Sequence, residues 1–327
     1  MKVLVFEFLS GGGVADQHPL DEMQSEFLRQ GKSMLVPFCE DLIDYGHEVV
    51  VPVDPKAKVQ LPVAADTVEV TDRRQMQRVL IELAEVVDSI VIVAPETDGC
   101  LEGILKSLHP WKDKLSCPDI QFVRLTGDKW ICHRYLRSRG VPCPRTWKIE
   151  AVEQVALLKW RPNQQFVVKP VDGAGSEGVR VVRHRDELTN EPMPYLLQQF
   201  VPGEPVSVLA VSDGVRVSIQ EPGKQVFDSL PVGTHVRTEF PLKDDFRERA
   251  MELAREVAVA LPKTRGYFGM DLVIGESPED DVVIEVNPRL TTSYGFLRAW
   301  NRGESKNVLS STLHRPQRLG RSTEFAE

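Results

Sequence analysis

The sequence predicts a two-part protein, α/β in its first part and α+β in the rest. Three observations predict it. Short β-branched runs alternate with helical patterns up to about residue 118. Many short strands then follow at close spacing, with hairpin turns between them. One long amphipathic helix finally precedes two apolar strands.

In the first part, Val3–Leu9 reads as a buried strand. Glu22–Tyr45 reads as helical, with Gly31 and Pro37 marking breaks or a kink. Glu48–Val53 is a second strand and Thr67–Val70 a short third. Arg73–Val87 is a helix, with Met76, Val79, Leu80, Leu83 and Val87 on its apolar side. Ser89–Ala94 is another strand, and the helix after Asp98 carries Leu101, Ile104, Leu105 and Leu108. This alternation implies a parallel sheet with helices on both faces. The domain is expected to end near Ser116-Cys117-Pro118.

A helix is expected at Gly127–Arg139, then a connector at Val141–Pro144. Gln165–Lys169, Val179–Val182, Leu196–Val201, Val206–Val211, Val215–Gln220 and Gln225–Leu230 read as strands, and Ser212-Asp213-Gly214 as a turn. Asp244–Leu261 is the long helix, followed by strands at Tyr267–Ile274 and Asp281–Val286. The expected division is 1–118, 119–204, 205–305 and a polar tail at 306–327.

The 327 residues are 42% hydrophobic and 27% charged, as in a soluble enzyme, and the net charge of -8 disfavours nucleic acid and anionic membranes as partners. Five cysteines at irregular spacing, without a C-x-x-C pair, point away from a disulfide framework or structural zinc. A cytoplasmic setting is expected. The apolar run at Val3–Leu9 is too short, and too charged at Glu7, for a signal or a membrane span.

Four features in fixed order carry chemistry. The first is Lys129. The second is Lys169-Pro170 at a strand end, followed by a loop from Asp172 to Gly178 that contains Gly173, Gly175 and Ser176. The third is Gln198-Gln199-Phe200-Val201-Pro202-Gly203-Glu204. The fourth is Asp271, with Glu285-Val286-Asn287-Pro288-Arg289. Glycines let backbone N–H groups approach an anion, and a lysine beside them supplies compact positive charge. Taken alone, that loop is equally a hairpin turn. Glu285 and Asn287 share one face of a strand, and Asp271 on the neighbouring strand can join them. Two carboxylates and an amide oxygen are hard ligands suited to Mg²⁺ or Mn²⁺. Arg289 is suited to hold a carboxylate or phosphoryl group. Glu96 follows a strand of the parallel sheet, where open sheets bind ligands, and is either a substrate contact or a solvated acid. The seven histidines, His133 and His235 among them, form no ligand or triad pattern.

The ordered set resembles the ATP-grasp superfamily over most of residues 120–290. The resemblance implies an ATP-grasp fold with an N-terminal Rossmann-like (pre-ATP-grasp) domain. Lys129 and Lys169 match its nucleotide lysines, and 172–178 its phosphate loop. Gln198, Gln199, Phe200 and Val201 match the adenine hinge, and Glu204 the ribose acid. Asp271, Glu285 and Asn287 match the metal ligands, and Arg289 the substrate arginine. The hinge departs from the usual acidic segment in being Gln-Gln, which leaves the adenine contacts open. The opening Phe6–Gly13 and the segment Asn287–Tyr294 look like a small group that contains tyramine–L-glutamate ligases of methanofuran biosynthesis. That likeness implies substrate contacts from Ser10, Gly11, Gly12, Glu96, Arg289, Thr291 and Thr292. It also implies ATP with Mg²⁺ or Mn²⁺, glutamate and tyramine as substrates, an acyl-phosphate intermediate and a homodimer. A ligase for tyrosine or another amine, and a non-catalytic ATP-binding module, are the competing expectations.

Overall fold

A computed structural model describes residues 1–313 apart from 162, 174, 176, 177, 189, 230–232, 304, 306, 307 and 309–312. Ser176, the end of the strand expected at Gln225–Leu230, and most of the tail expected at 306–327 lie outside the described residues.

Strands β1 (Lys2–Glu7), β2 (Glu48–Val53), β3 (Ala65–Glu69) and β4 (Ser89–Val93) form a parallel sheet in the order β3-β2-β1-β4. Side chains alternate across β1. Leu4 and Phe6 pack with Val79 and Leu80 of α2 (Arg73–Val86) and with Leu101 and Leu105 of α3 (Cys100–Ser107). Val3 and Val5 pack on the opposite face with Leu35, Phe38 and Leu42 of α1 (Glu22–Asp44). Both faces are therefore apolar, as the continuous β-branched runs require.

Neither Gly31 nor Pro37 breaks α1, which runs unbroken from Asp21, whose side chain caps Gln24 N. Pro37 cannot donate to the Ser33 carbonyl, and Gly295 packs against that carbonyl from outside. At Gly31 a Cβ would lie 2.5 Å from the Glu7 carboxylate, so only glycine lets the helix cross there. Both residues serve close packing against other elements, which local pattern does not reveal.

The helix expected at Gly127–Arg139 is α5 (Lys129–Ser138), and an unanticipated short helix, α4 (Ile120–Gly127), precedes it. Asp128 separates them and caps α5 through Ile131 N. Strand β5 (Thr146–Ile149) and helix α6 (Val152–Leu157) were not anticipated. With β6 (Phe166–Pro170), β7 (Arg180–Val182) and β8 (Tyr195–Gln199), β5 forms an antiparallel sheet in the order β5-β8-β6-β7.

The last sheet has six strands: β9 (Glu204–Asp213), β10 (Val217–Ile219), β11 (Gly223–Phe227), β12 (His235–Glu239), β13 (Arg265–Ile274) and β14 (Val282–Asn287). Its path is β12-β11-β9-β13-β14, with β10 paired to β9. Helix α7 (Asp244–Ala260) covers one face through Ala250, Leu253 and Val257. On the other face, Leu209, Val211 and Tyr267 share a core with α1. Helix α8 (Ser293–Trp300), also unanticipated, packs on α1, where Tyr294 Oη and Arg298 Nε each donate to Asp41 at 2.6 Å. Helix α1 thus joins the parallel sheet to the six-stranded one. No helix among the described residues is long and apolar enough to cross a membrane.

Candidate active site

A cavity of about 240 Å³ opens between the β6–β8 sheet and the six-stranded sheet. Its wall includes Lys129, Lys169, Gln198, Asp271, Glu285, Asn287 and Arg289. Each arrives for a local reason. The Asp128 cap starts α5 and places Lys129 at its first residue. Alternation on β6 buries Phe166 and Val168 in a separate core and leaves Val167 and Lys169 on the cavity side. On the β13–β14 pair, Asp271 stands directly opposite Glu285, and Asn287 follows two residues on.

Polar contacts fix this cluster. Lys129 Nζ lies 3.3 Å from Glu285 Oε2 and donates to Gly173 O at 2.6 Å. Asn287 Nδ2 donates to Asp271 Oδ2 at 2.9 Å, which turns the amide oxygen away. Gln225 Nε2 donates to Asp271 Oδ1 at 3.1 Å. Lys169 is only 4% exposed, and its ammonium has no hydrogen bond or ion pair among the described residues. Burial, against the pull of Glu285, pushes its ammonium down to about 8. Burial and the adjacent Glu285 raise Asp271. Burial would raise Glu285 too, but Lys129 and Lys169 outweigh it and hold Glu285 well below the usual carboxylate range. Two half-buried carboxylates face one another with two ammonium groups beside them. That is a place for a polyanion with its counter-cation.

Arg289 reaches the same cavity and is held from the other part of the chain. Its Nε donates to Glu96 Oε2 at 2.9 Å, and Nη2 lies 3.5 Å from Oε1. The Glu96 side chain is only 3% exposed, and Glu96 is absent from the cavity wall. Burial opposes the charge on Arg289, but Glu96 more than compensates. The expectation that Glu96 meets substrate gives way to a carboxylate spent on Arg289.

Other expected residues divide. Gly173, Gly175, Gln199, Phe200, Val201, Thr291 and Thr292 line the cavity. Gly178 lies against Pro170 instead. Glu204 pairs with Lys224 at 2.8 Å and is not in the wall. Gln198 Nε2 donates to Thr146 Oγ1 at 3.0 Å. The structure does not bring Ser10, Gly11 or Gly12 to the cavity. Ser10 is fully buried and donates from both N and Oγ to Glu7, while Gly11 and Gly12 pack on Phe6 and Val70. The glycine-rich opening is tight packing inside the first sheet's domain. Sequence reasoning missed Gln30, Gln225, Phe227 and His235, all in the wall. Their types carry no motif, and only the pairing of β11 with β12 and the crossing of α1 bring them in.

Comparison with known proteins agrees with this geometry. An ATP-grasp domain model matches residues 126–293, and a pre ATP-grasp 3 domain model matches residues 47–119. The chain belongs to the ATP-grasp family, and it is an ATP-dependent carbon–nitrogen ligase. It is 23% identical over 307 residues to the tyramine–L-glutamate ligase of Methanocaldococcus jannaschii, covering 90% of this chain and 84% of that protein. It is 27% identical over 214 residues to the 3-methyl-D-ornithine–L-lysine ligase of Methanosarcina mazei, covering 64% of this chain and 50% of that one. Among solved structures, it superposes on an ATP-grasp superfamily protein from Archaeoglobus fulgidus with a TM-score of 0.70, at 20% identity, over 95% of this chain and 88% of that one. The L-amino acid ligase of Bacillus licheniformis shares the fold with a TM-score of 0.66 at 16% identity, over 95% and 75% of the two chains.

Proposed function

We propose that this enzyme joins the γ-carboxylate of glutamate to tyramine, releasing ADP and phosphate. The supporting observation is the convergence of Lys129, Lys169, Asp271, Glu285, Asn287 and Arg289 on one cavity. Likeness to a tyramine–L-glutamate ligase along 90% of the chain supports this choice of substrates.

The polyphosphate lies beside Lys129 and Lys169, with Gly173 and Gly175 lining the same space. Gln198 to Val201 border the adenine. Asp271 and Glu285, with the amide of Asn287 once it turns from its hydrogen bond to Asp271, would hold Mg²⁺ or Mn²⁺. Among the described residues no group of three or more His, Cys, Asp or Glu side chains forms a metal cage. Two carboxylates plus an amide nevertheless fit a cation that keeps waters and phosphate oxygens as its other ligands. When bound, that cation supplies charge neutralisation on the phosphates.

The glutamate carboxylate attacks the γ-phosphorus, the bond to the β-phosphate oxygen breaks, and ADP leaves. Arg289, steadied by Glu96, holds the acyl phosphate. The neutral amine then attacks the acyl carbon. A C–N bond forms, the C–O bond to phosphate breaks with its electron pair leaving on phosphate, and the nitrogen releases a proton. Catalysis is mainly positioning and charge stabilisation, with no covalent nucleophile from the protein.

An ADP-release assay that omits ATP, glutamate and tyramine in turn, with mass spectrometry of the product, tests the reading. Glu285→Ala lowers turnover by roughly 100-fold or more while the protein stays folded. Near-normal activity in a folded variant overturns the assignment. The likeness to 3-methyl-D-ornithine–L-lysine ligases favours a second reading, another amine or amino-acid pair at the same site. A substrate panel with the same readout separates the two.

A further inference from the structure

Beyond Arg289 the chain places Thr291 and Thr292 in the cavity wall. Thr292 Oγ1 lies 3.2 Å from Nδ1 of His235, which opens β12. Phe227 ends β11 and is paired in register with His235, their rings edge to face at 6.2 Å. Phe296 of α8 also meets the imidazole, edge to face at 6.1 Å. Gln30 of α1 completes this end of the wall.

The chemistry here differs from that of the phosphate end. His235 has both ring nitrogens spent inside the protein, with Nε2 3.0 Å from Thr238 Oγ1 and Nδ1 on Thr292. Burial and the nearby Arg29 also lower its pKa, against a backbone hydrogen bond at Arg237. An imidazole with both nitrogens occupied presents ring surface and does not shuttle protons. The nearby charges are also tied up. Arg29 forks onto Glu26 at 2.7 and 2.5 Å, and Arg289 is held by Glu96. What faces the space is two aromatic rings and the Gln30 side chain, beside two threonines whose hydroxyls are bonded to Ser293 and His235. Such a surface favours a flat apolar group with a polar tip.

We propose that Phe227, His235, Gln30 and Thr292 form the acceptor subsite, and that it selects a primary amine carrying an aromatic ring. The ring lies against Phe227 and His235, with its amino nitrogen toward Arg289. The assignment of a role to these residues rests on the ligase reading of the cavity. The preference for a ring rests on the lining alone.

The test compares wild type with Phe227→Ala, His235→Ala and His235→Phe. ADP release is measured with tyramine and with ethylamine, at saturating ATP, glutamate and Mg²⁺. ADP affinity and calorimetric binding of tyramine are measured on each protein. The two alanine variants lower the tyramine-to-ethylamine ratio of kcat/KM by roughly 10-fold or more, mainly through the KM for tyramine. ADP affinity is kept within about twofold, the margin of a site away from the nucleotide. His235→Phe keeps the ring and retains most of the ratio. An unchanged ratio in both alanine variants overturns the proposal. So does a loss of kcat with both amines in His235→Phe, which would make His235 a proton acceptor. If wild type releases no ADP with any amine, the choice of reaction fails, and calorimetry decides the subsite separately. Tyramine binding that Phe227→Ala abolishes sustains it, and absence of binding to wild type overturns it.

Discussion

At the scale of single residues, the site depends on pairs that cross the molecule. Glu96 and Arg289 are 193 positions apart and meet as a buried ion pair. Removing one partner leaves an uncompensated charge, which costs about 3–5 kcal/mol in buried pairs. Glu96→Gln is therefore expected to lower kcat well beyond its effect on the KM for ATP, because Arg289 loses its orientation. Glu96→Asp restores part of kcat. Equal kcat for Glu96→Gln and wild type would remove Glu96 from its positioning role. His133 is buried beside Trp130. Burial, aided by Arg137 and Lys169, pushes its pKa down to about 4 from 6.5. The unfolded chain takes up a proton below pH 6.5 and the native one does not, so this histidine's share of stability is lost as pH falls from 6.5 to about 4. The loss amounts to about 3 kcal/mol, from 1.36 kcal/mol per pH unit. Urea unfolding of His133→Gln at pH 7 and pH 5 checks it: the variant shows a shallower decline than wild type.

At the scale of elements, α1 carries a test of close packing. Alanine normally gains about 1 kcal/mol over glycine inside a helix. At Gly31 the gain is expected to reverse, because the new methyl meets the Glu7 carboxylate, which already holds Leu9 N and Ser10 N. Overpacking costs about 1–3 kcal/mol, so Gly31→Ala lowers the urea midpoint, while a rise would show that the helix yields freely. The same element shows what the sequence could tell. Its extent, Glu22–Tyr45, was readable. Its continuity through Gly31 and Pro37 was not, because the reasons for both lie in β1 and α8. Likewise, the strands bearing Lys169, Asp271 and Glu285 were readable from β-branched runs. Short β5, β12 and α8 were not, since a few residues of mixed polarity hold their shape only through neighbours.

At the scale of the whole molecule, the cavity is shared between sheets, so ligand binding is linked to stability. ATP with Mg²⁺ is expected to raise the thermal midpoint. At a concentration 100 times Kd the stabilisation is about 2.7 kcal/mol. ATP with a chelator in place of Mg²⁺ gives a smaller rise, because Asp271 and Glu285 then face the phosphates without a cation between them. Equal shifts with and without the metal would remove these carboxylates from cation binding. The joint itself rests on α1, which packs on β1, β9, β13 and α8 and is tied through Asp41 to Tyr294 and Arg298.

The sequence by itself determined the succession of a parallel-sheet domain and a hairpin-rich part. It also determined the order of Lys129, Lys169, Asp271, Glu285, Asn287 and Arg289, because strand alternation and ligand chemistry are local and carry their own period. Only the tertiary structure decided what each side chain spends itself on. Glu96 goes to Arg289 and Glu204 to Lys224, Ser10 and its glycines go into the domain core, and Phe227 and His235 go into the cavity wall. Those outcomes depend on which distant groups a fold brings within hydrogen-bond reach, and no spacing along the chain encodes that distance.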